Sequence, residues 1–138
     1  MDKALNYLSL ARKAGKAELG EDPVGAAARM LTAAVIAVAS DGSDHTWRRA
    51  KSFAAGTDQQ CVRIPYTKDE MGMAIGRTSL AIAAITDPAL ARAFVEALGR
   101  PEQDREVLEV LAEKVSKTKK RQAEAKAHKR NVRMGKKK

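Results

Sequence analysis

The sequence predicts an α/β domain with helices on both faces of a small sheet. Segments with apolar residues at helical spacing alternate four times with short strand-like runs. Two of those runs, AAVIAVAS at 33–40 and LAIAAI at 80–85, are continuously apolar, as strands covered on both sides are. The length is that of one domain with a tail, and about 100 ordered residues bury roughly two-thirds of their unfolded surface, enough for a core without staples.

Each element has a local signal. Leu5, Leu8 and Ala11 recur at helical spacing over Lys3–Ala14, with Asp2 as N-cap and Gly15 just past the end. A short strand, Ala17–Leu19, follows. The second helix starts at Glu21 or Asp22, carries Pro23 in the tolerated first turn, and runs to about Leu31. After the buried strand at 33–40, Asp41-Gly42 turns the chain, and Ser43 or Asp44 caps a helix to about Ala55. Gln60–Ile64 is a third strand. Thr67 with Glu70 is a capping box opening a fourth helix that Gly76 ends. Leu80–Ile85 is the fourth strand. Asp87-Pro88 starts a fifth helix that stops at Gly99. Beyond Pro101, Leu108, Leu111, Ala112 and Val115 form an amphipathic face; after Ser116 that face disappears. The predicted units are a domain at 1–100, an amphipathic helix at 101–116, and a basic tail at 117–138 that is frayed, disordered, or ordered by a partner.

The formal net charge is +9, and it is segregated. From Lys117 onward eleven Lys/Arg face one acid, Glu124, whereas residues 1–116 hold fifteen bases and sixteen acids. Such an excess of like charge repels itself unless a polyanion neutralises it, and nucleic acid is the leading candidate. No run approaches the ~20 apolar residues of a membrane span, and the N-terminus lacks a signal-peptide pattern, so a cytoplasmic protein is expected.

Signals for catalysis are weak. The two histidines are His45, beside a turn, and His128, in the tail; Cys61 lies within a strand run, where packing explains it. Metal-ligand spacings and phosphate-binding glycine loops are absent from the sequence. Gly72-x-x-x-Gly76 reads as close helix packing followed by a C-cap. Trp47-Arg48-Arg49 could stack on a base and hold phosphates, but Trp47 shares a helix face with Ala50 and Ala54, which favours packing at the core edge. No cofactor, metal, membrane or small-molecule substrate is expected. Stranger is LGEDPVGA at 19–26, where a basic chain sets two carboxylates at a helix N-terminus, a place that welcomes anions.

LNYLSLARKAGKAELGEDPV, AAVIAVASDGSDHT and MGMAIGRTSLAIAAITD, in that order, resemble the kink-turn-binding ribosomal-protein family, the L-seven-Ae family, and within it the short bacterial YlxQ-type branch. The resemblance covers about residues 3–98. It implies a three-layer α–β–α sandwich around a small, mostly buried mixed sheet, here extended by a basic C-terminal helix and tail. It further implies RNA binding at one edge. The grip would comprise Gly20, Glu21, Asp22 and Pro23, then Gly76, Arg77, Thr78, Ser79 and Leu80, with Lys16 suited to a phosphate. In kink-turn-binding members the first element runs glycine, small residue, asparagine, glutamate, with a lysine three residues on. Asp22, Pro23 and Ala26 stand in the last three of those places here.

A carboxylate is a poor neighbour for phosphate but a good acceptor for base-edge donors such as those of guanine. Capping needs one acid, so Asp22 is expected to cap and Glu21 to read a base. The function that follows is non-catalytic RNA binding of the ribosomal-protein type, directed at structured RNA, kink-turn-like RNA included, in association with the ribosome or translation. Lys119, Lys120 and Arg121 of the tail would add phosphate contacts. The alternative is a ribosome-associated adaptor whose body faces protein while the tail alone holds RNA. A substrate-recognition domain of an RNA methyltransferase is disfavoured, since no room remains for a catalytic domain.

Overall fold

The computed structural model describes residues 2–135, with side chains described through residue 127. Lys136–Lys138, the end of the basic tail, and the side chains from His128 onward lie outside the described residues. The elements are α1 (Lys3–Lys13), β1 (Ala17–Leu19), α2 (Glu21–Arg29), β2 (Val35–Val38), α3 (Asp44–Ala54), β3 (Gln60–Arg63), α4 (Lys68–Ala74), β4 (Ile82–Ile85), α5 (Pro88–Ala97) and α6 (Arg105–Gly135).

The strands form one mixed sheet in the order β1-β4-β2-β3. β4 runs antiparallel to β1 and β2, and β2 runs parallel to β3. Side chains of the two central strands alternate between two cores. Val35, Ala37, Ala83 and Ile85 join Leu8, Met71, Phe94 and Leu111 from α1, α4, α5 and α6. Ile36, Val38, Ile82 and Ala84 join Val24 and Ala50 from α2 and α3. This is the α–β–α sandwich, and burial on both faces explains why these strands read as unbroken apolar runs.

The helix starts follow local chemistry. Asp2, Ser43 and Asp87 each accept a backbone N–H at their helix starts, and Thr67 and Glu70 complete the reciprocal capping box. Asp2 does further work, because the Tyr66 hydroxyl donates to it at 2.5 Å. Burial, helped by that bond, pushes the Tyr66 phenol up to about 12, and the same bond holds the Asp2 carboxyl below its usual range. The buried strands are shorter than their apolar runs. Ala33 and Leu80 fall outside the ladder, and their N–H groups donate to Gln59 Oε1 and Lys68 C=O. α2 stops at Arg29, and Leu31, expected within it, adopts the left-handed conformation with φ 59°.

α6 docks through Leu111 and Val115, which are buried, then continues as helix across Ser116 into the basic segment. The transition at residue 116 is therefore one of composition, without a break in secondary structure. At the preceding corner the Arg100 Nε donates to the buried Asp104 carboxylate at 2.8 Å.

Candidate nucleic-acid interface

β1, β2 and β3 all point the same way, so the helices that follow them begin at one end of the sheet, and β4 enters from that end. Gly20 ties the first expected RNA-gripping segment to the start of β4, the strand that the second segment leads into. Its N–H donates to Ile82 C=O at 3.0 Å, placing the start of α2 beside the loop that delivers β4. Gly20 has φ 97° and ψ 162°, a region open in practice only to glycine. A Cβ at this residue would meet nothing nearer than Pro23 Cδ at 3.8 Å, so the requirement is conformational rather than steric.

Gly20 is also the N-cap of α2, and no side chain caps that helix. This corrects the expectation for Asp22. The helix begins two residues earlier than an Asp22 cap needs, and Asp22 stands exposed in the first turn, where it complements the helix dipole without capping. Glu21 is tied to α3. Its Oε1 accepts from Thr46 Oγ1 at 3.1 Å, Thr46 Oγ1 accepts from Ser43 Oγ at 3.1 Å, and Ser43 Oγ accepts from Thr46 N–H. Glu21 Oε2 lies 4.0 Å from Arg49 Nε, a buried atom without a hydrogen-bond partner. The carboxylate therefore joins α2 to α3 and is half-exposed, with acceptor positions remaining. Thr46 and Arg49 carried no sequence signal for this role; their i, i+3 spacing marks a shared helix face but not a partner 25 residues away.

Gly76 has φ 75° and turns the chain out of α4. Arg77, Thr78 and Ser79 follow, all exposed. The loop folds back onto α4 so closely that a Cβ on Gly72 would lie 2.7 Å from Ser79 N and 2.9 Å from Arg77 O. Gly72 thus makes its close approach to this loop and not to another helix. Leu80, expected both to open the buried fourth strand and to join the grip, lies just ahead of β4 with its side chain buried in the main core.

The other candidates lie elsewhere. Lys16 is exposed but precedes β1, and its C=O accepts from Thr86 N–H at the opposite end of the sheet from Gly20. Lys119, Lys120 and Arg121 are exposed on α6. Trp47 is half-buried against the α2–α3 core, with Arg63 5.0 Å and Lys51 5.6 Å from its ring, within cation–π range. Cys61 is likewise packed, and burial pushes its thiol up to about 11, so it is protonated at neutral pH. Among the described residues, no three His, Cys, Asp or Glu side chains gather to hold a metal, and no helix is long and apolar enough to cross a membrane.

No family model and no curated protein matches this chain. Solved structures do. A protein with unknown function from Bacillus halodurans aligns with a TM-score of 0.66 at 20% identity, over 72% of this chain and 99% of its own. A Giardia lamblia 15.5kD RNA binding protein aligns with a TM-score of 0.59 at 17% identity, over 73% of this chain and 86% of its own. At these identities the likeness is one of fold.

Proposed function

We propose that this chain is a non-catalytic, cytoplasmic RNA-binding protein of the L-seven-Ae family, YlxQ-type branch, acting on structured RNA in association with the ribosome or translation. The observation that carries the reading is the Gly20–Ile82 hydrogen bond, which ties the start of α2 to the start of β4, the strand that follows the Gly76 loop. RNA binding by the Giardia lamblia protein of the same fold supports it. In this reading Gly20, Glu21, Asp22, Gly76, Arg77, Thr78 and Ser79 form the RNA edge. Arg77 supplies the phosphate or base contact, and the amide groups opening α2 face the RNA without a side chain covering them. Asp22, Pro23 and Ala26 stand at the positions that read kink-turns in the family, so in this chain Glu21 rather than those residues would read the G·A pairs of a bent RNA.

Arg77→Ala tests the edge. It should weaken binding to a G·A-containing bent RNA by about 1–3 kcal/mol with little loss of stability. Equal affinity for both proteins removes this surface from RNA binding. A second reading, a protein-facing body with RNA held by α6 alone, draws on the engagement of Glu21 with Thr46, which occupies part of the expected base reader.

A further inference from the structure

The opposite end of the sheet carries a second concave surface. A cavity of about 390 Å³ opens between α6 and the base of the sheet, lined by Thr32, Thr86, Lys114, Lys117, Thr118 and Arg121. Lys114, Lys117 and Arg121 follow at i, i+3 and i+7 and so share one face of α6. Among the described residues, the one acid in the lining is Asp58, 3.3 Å from Lys114 Nζ, and Lys117 Nζ also lies 3.8 Å from Glu113 outside the groove. The Lys114 side chain is only 19% exposed, whereas Asp58 is 71% exposed, so the cation is built into the wall and its acid is at the rim. The hydroxyls of Thr32 and Thr118 donate to the Ala27 and Lys114 carbonyls, which leaves the ammonium and guanidinium groups to define the ligand.

Leu31 lines the same groove. It closes α2 by a Schellman pair, its own N–H on Ala28 C=O and the Thr32 N–H on Ala27 C=O, both at 3.0 Å. The corresponding residue after α1 is glycine, Gly15, with φ 72°. A leucine held at φ 59° and 65% exposed is costly in both conformation and solvation. Its position gives the cationic groove an apolar lip against which a ribose can lie.

We propose that this groove is a second RNA-backbone site, so that one molecule holds two RNA segments, one at each end of its sheet. The proposal rests on the RNA-binding reading above. The groove is open and set against a helix that carries a basic excess from Lys117 onward, which suits a polymer rather than a small phosphate. Among the described residues no aromatic side chain lines it, so the contacts are with backbone and independent of sequence. From Ala81 to Thr86 the chain crosses the sheet, and five strand steps span roughly 17 Å, which separates the two sites.

The test uses the full chain, an immobilised G·A-containing bent RNA, and a fluorescent single-stranded uridine 20-mer. Wild type bound to the bent RNA should capture the 20-mer. K117Q/R121Q should lose capture at least tenfold while holding the bent RNA within about threefold, and its salt slope for the 20-mer should fall by about 1.4, two single-strand contacts. R77A should lose the bent RNA and keep the 20-mer. Retained capture by K117Q/R121Q, with bent-RNA binding intact, overturns the second site and leaves the RNA reading standing. Failure of wild-type protein to bind either RNA overturns both. Preferential displacement of the 20-mer by polyglutamate at equal charge concentration assigns the groove to an acidic protein instead.

Discussion

Thr46 Oγ1 takes up one acceptor position on the Glu21 carboxylate, and a carboxylate has about four. The second oxygen lies 4.0 Å from Arg49 Nε on a side chain that is half-exposed, so Glu21 can bridge to α3 and still accept from a base. Glu21→Gln preserves the acceptor toward Thr46 and replaces the second oxygen with a donor. It should weaken binding to a G·A-containing bent RNA while changing affinity for a plain duplex little, measured at matched salt. Uniform tightening on both RNAs would instead mean that the charge only repels phosphate. Asp22→Ala provides the contrast. With Gly20 as the cap, its cost in thermal unfolding should be about 0.3–1 kcal/mol, the helix-dipole contribution, rather than that of a lost cap.

Elements were legible wherever their determinants lie within four residues of one another. Thr67 and Glu70 announce α4, Asp87-Pro88 announces α5, and Ser43 precedes α3 because capping is a contact between near neighbours. What the sequence concealed is set by tertiary contact. Nothing near Gly20 shows that it takes the cap from Asp22, since that depends on its bond to Ile82, 62 residues on. The strand order was equally hidden, because both central strands are apolar throughout. Gly72 belongs to the same class: its spacing from Gly76 was visible, but the partner it admits is the 77–79 loop. Gly72→Ala places a Cβ against backbone that has little room to yield, and should destabilise the fold by about 1–3 kcal/mol, as overpacking does. The displaced loop should also lose RNA affinity beyond any change in folded fraction, which titration below the unfolding transition separates from stability. A neutral Gly72→Ala in both assays would show that the loop can shift without consequence for the edge.

At the scale of the whole molecule, charge and core part company at Ser116. Leu111 anchors α6 in the main core and Val115 is buried one turn on, while the basic excess begins with Lys117. Truncation after Ser116 keeps both residues and the Lys114–Asp58 pair, and removes Lys117, Thr118 and Arg121 from the groove. Stability should hardly move, since the deleted described side chains bury little apolar surface and exposed ion pairs are worth little. RNA binding should change in a specific way. If the deleted segment makes about five phosphate contacts, the slope of log K against log salt should flatten by roughly 3.5 for single-stranded RNA and 4.5 for a duplex. Preference for the bent RNA over the duplex should survive, because phosphate contacts position without specifying. Combining the truncation with Arg77→Ala then asks whether the two ends act independently. Sites well over 10 Å apart with no shared partner should give free-energy losses that add within about 0.5 kcal/mol. A coupling larger than that would mean that one RNA segment runs continuously from the Gly76 loop to α6. An unchanged salt slope in the truncated chain would remove α6 from RNA binding altogether and leave the edge at Gly20 as the whole of the grip.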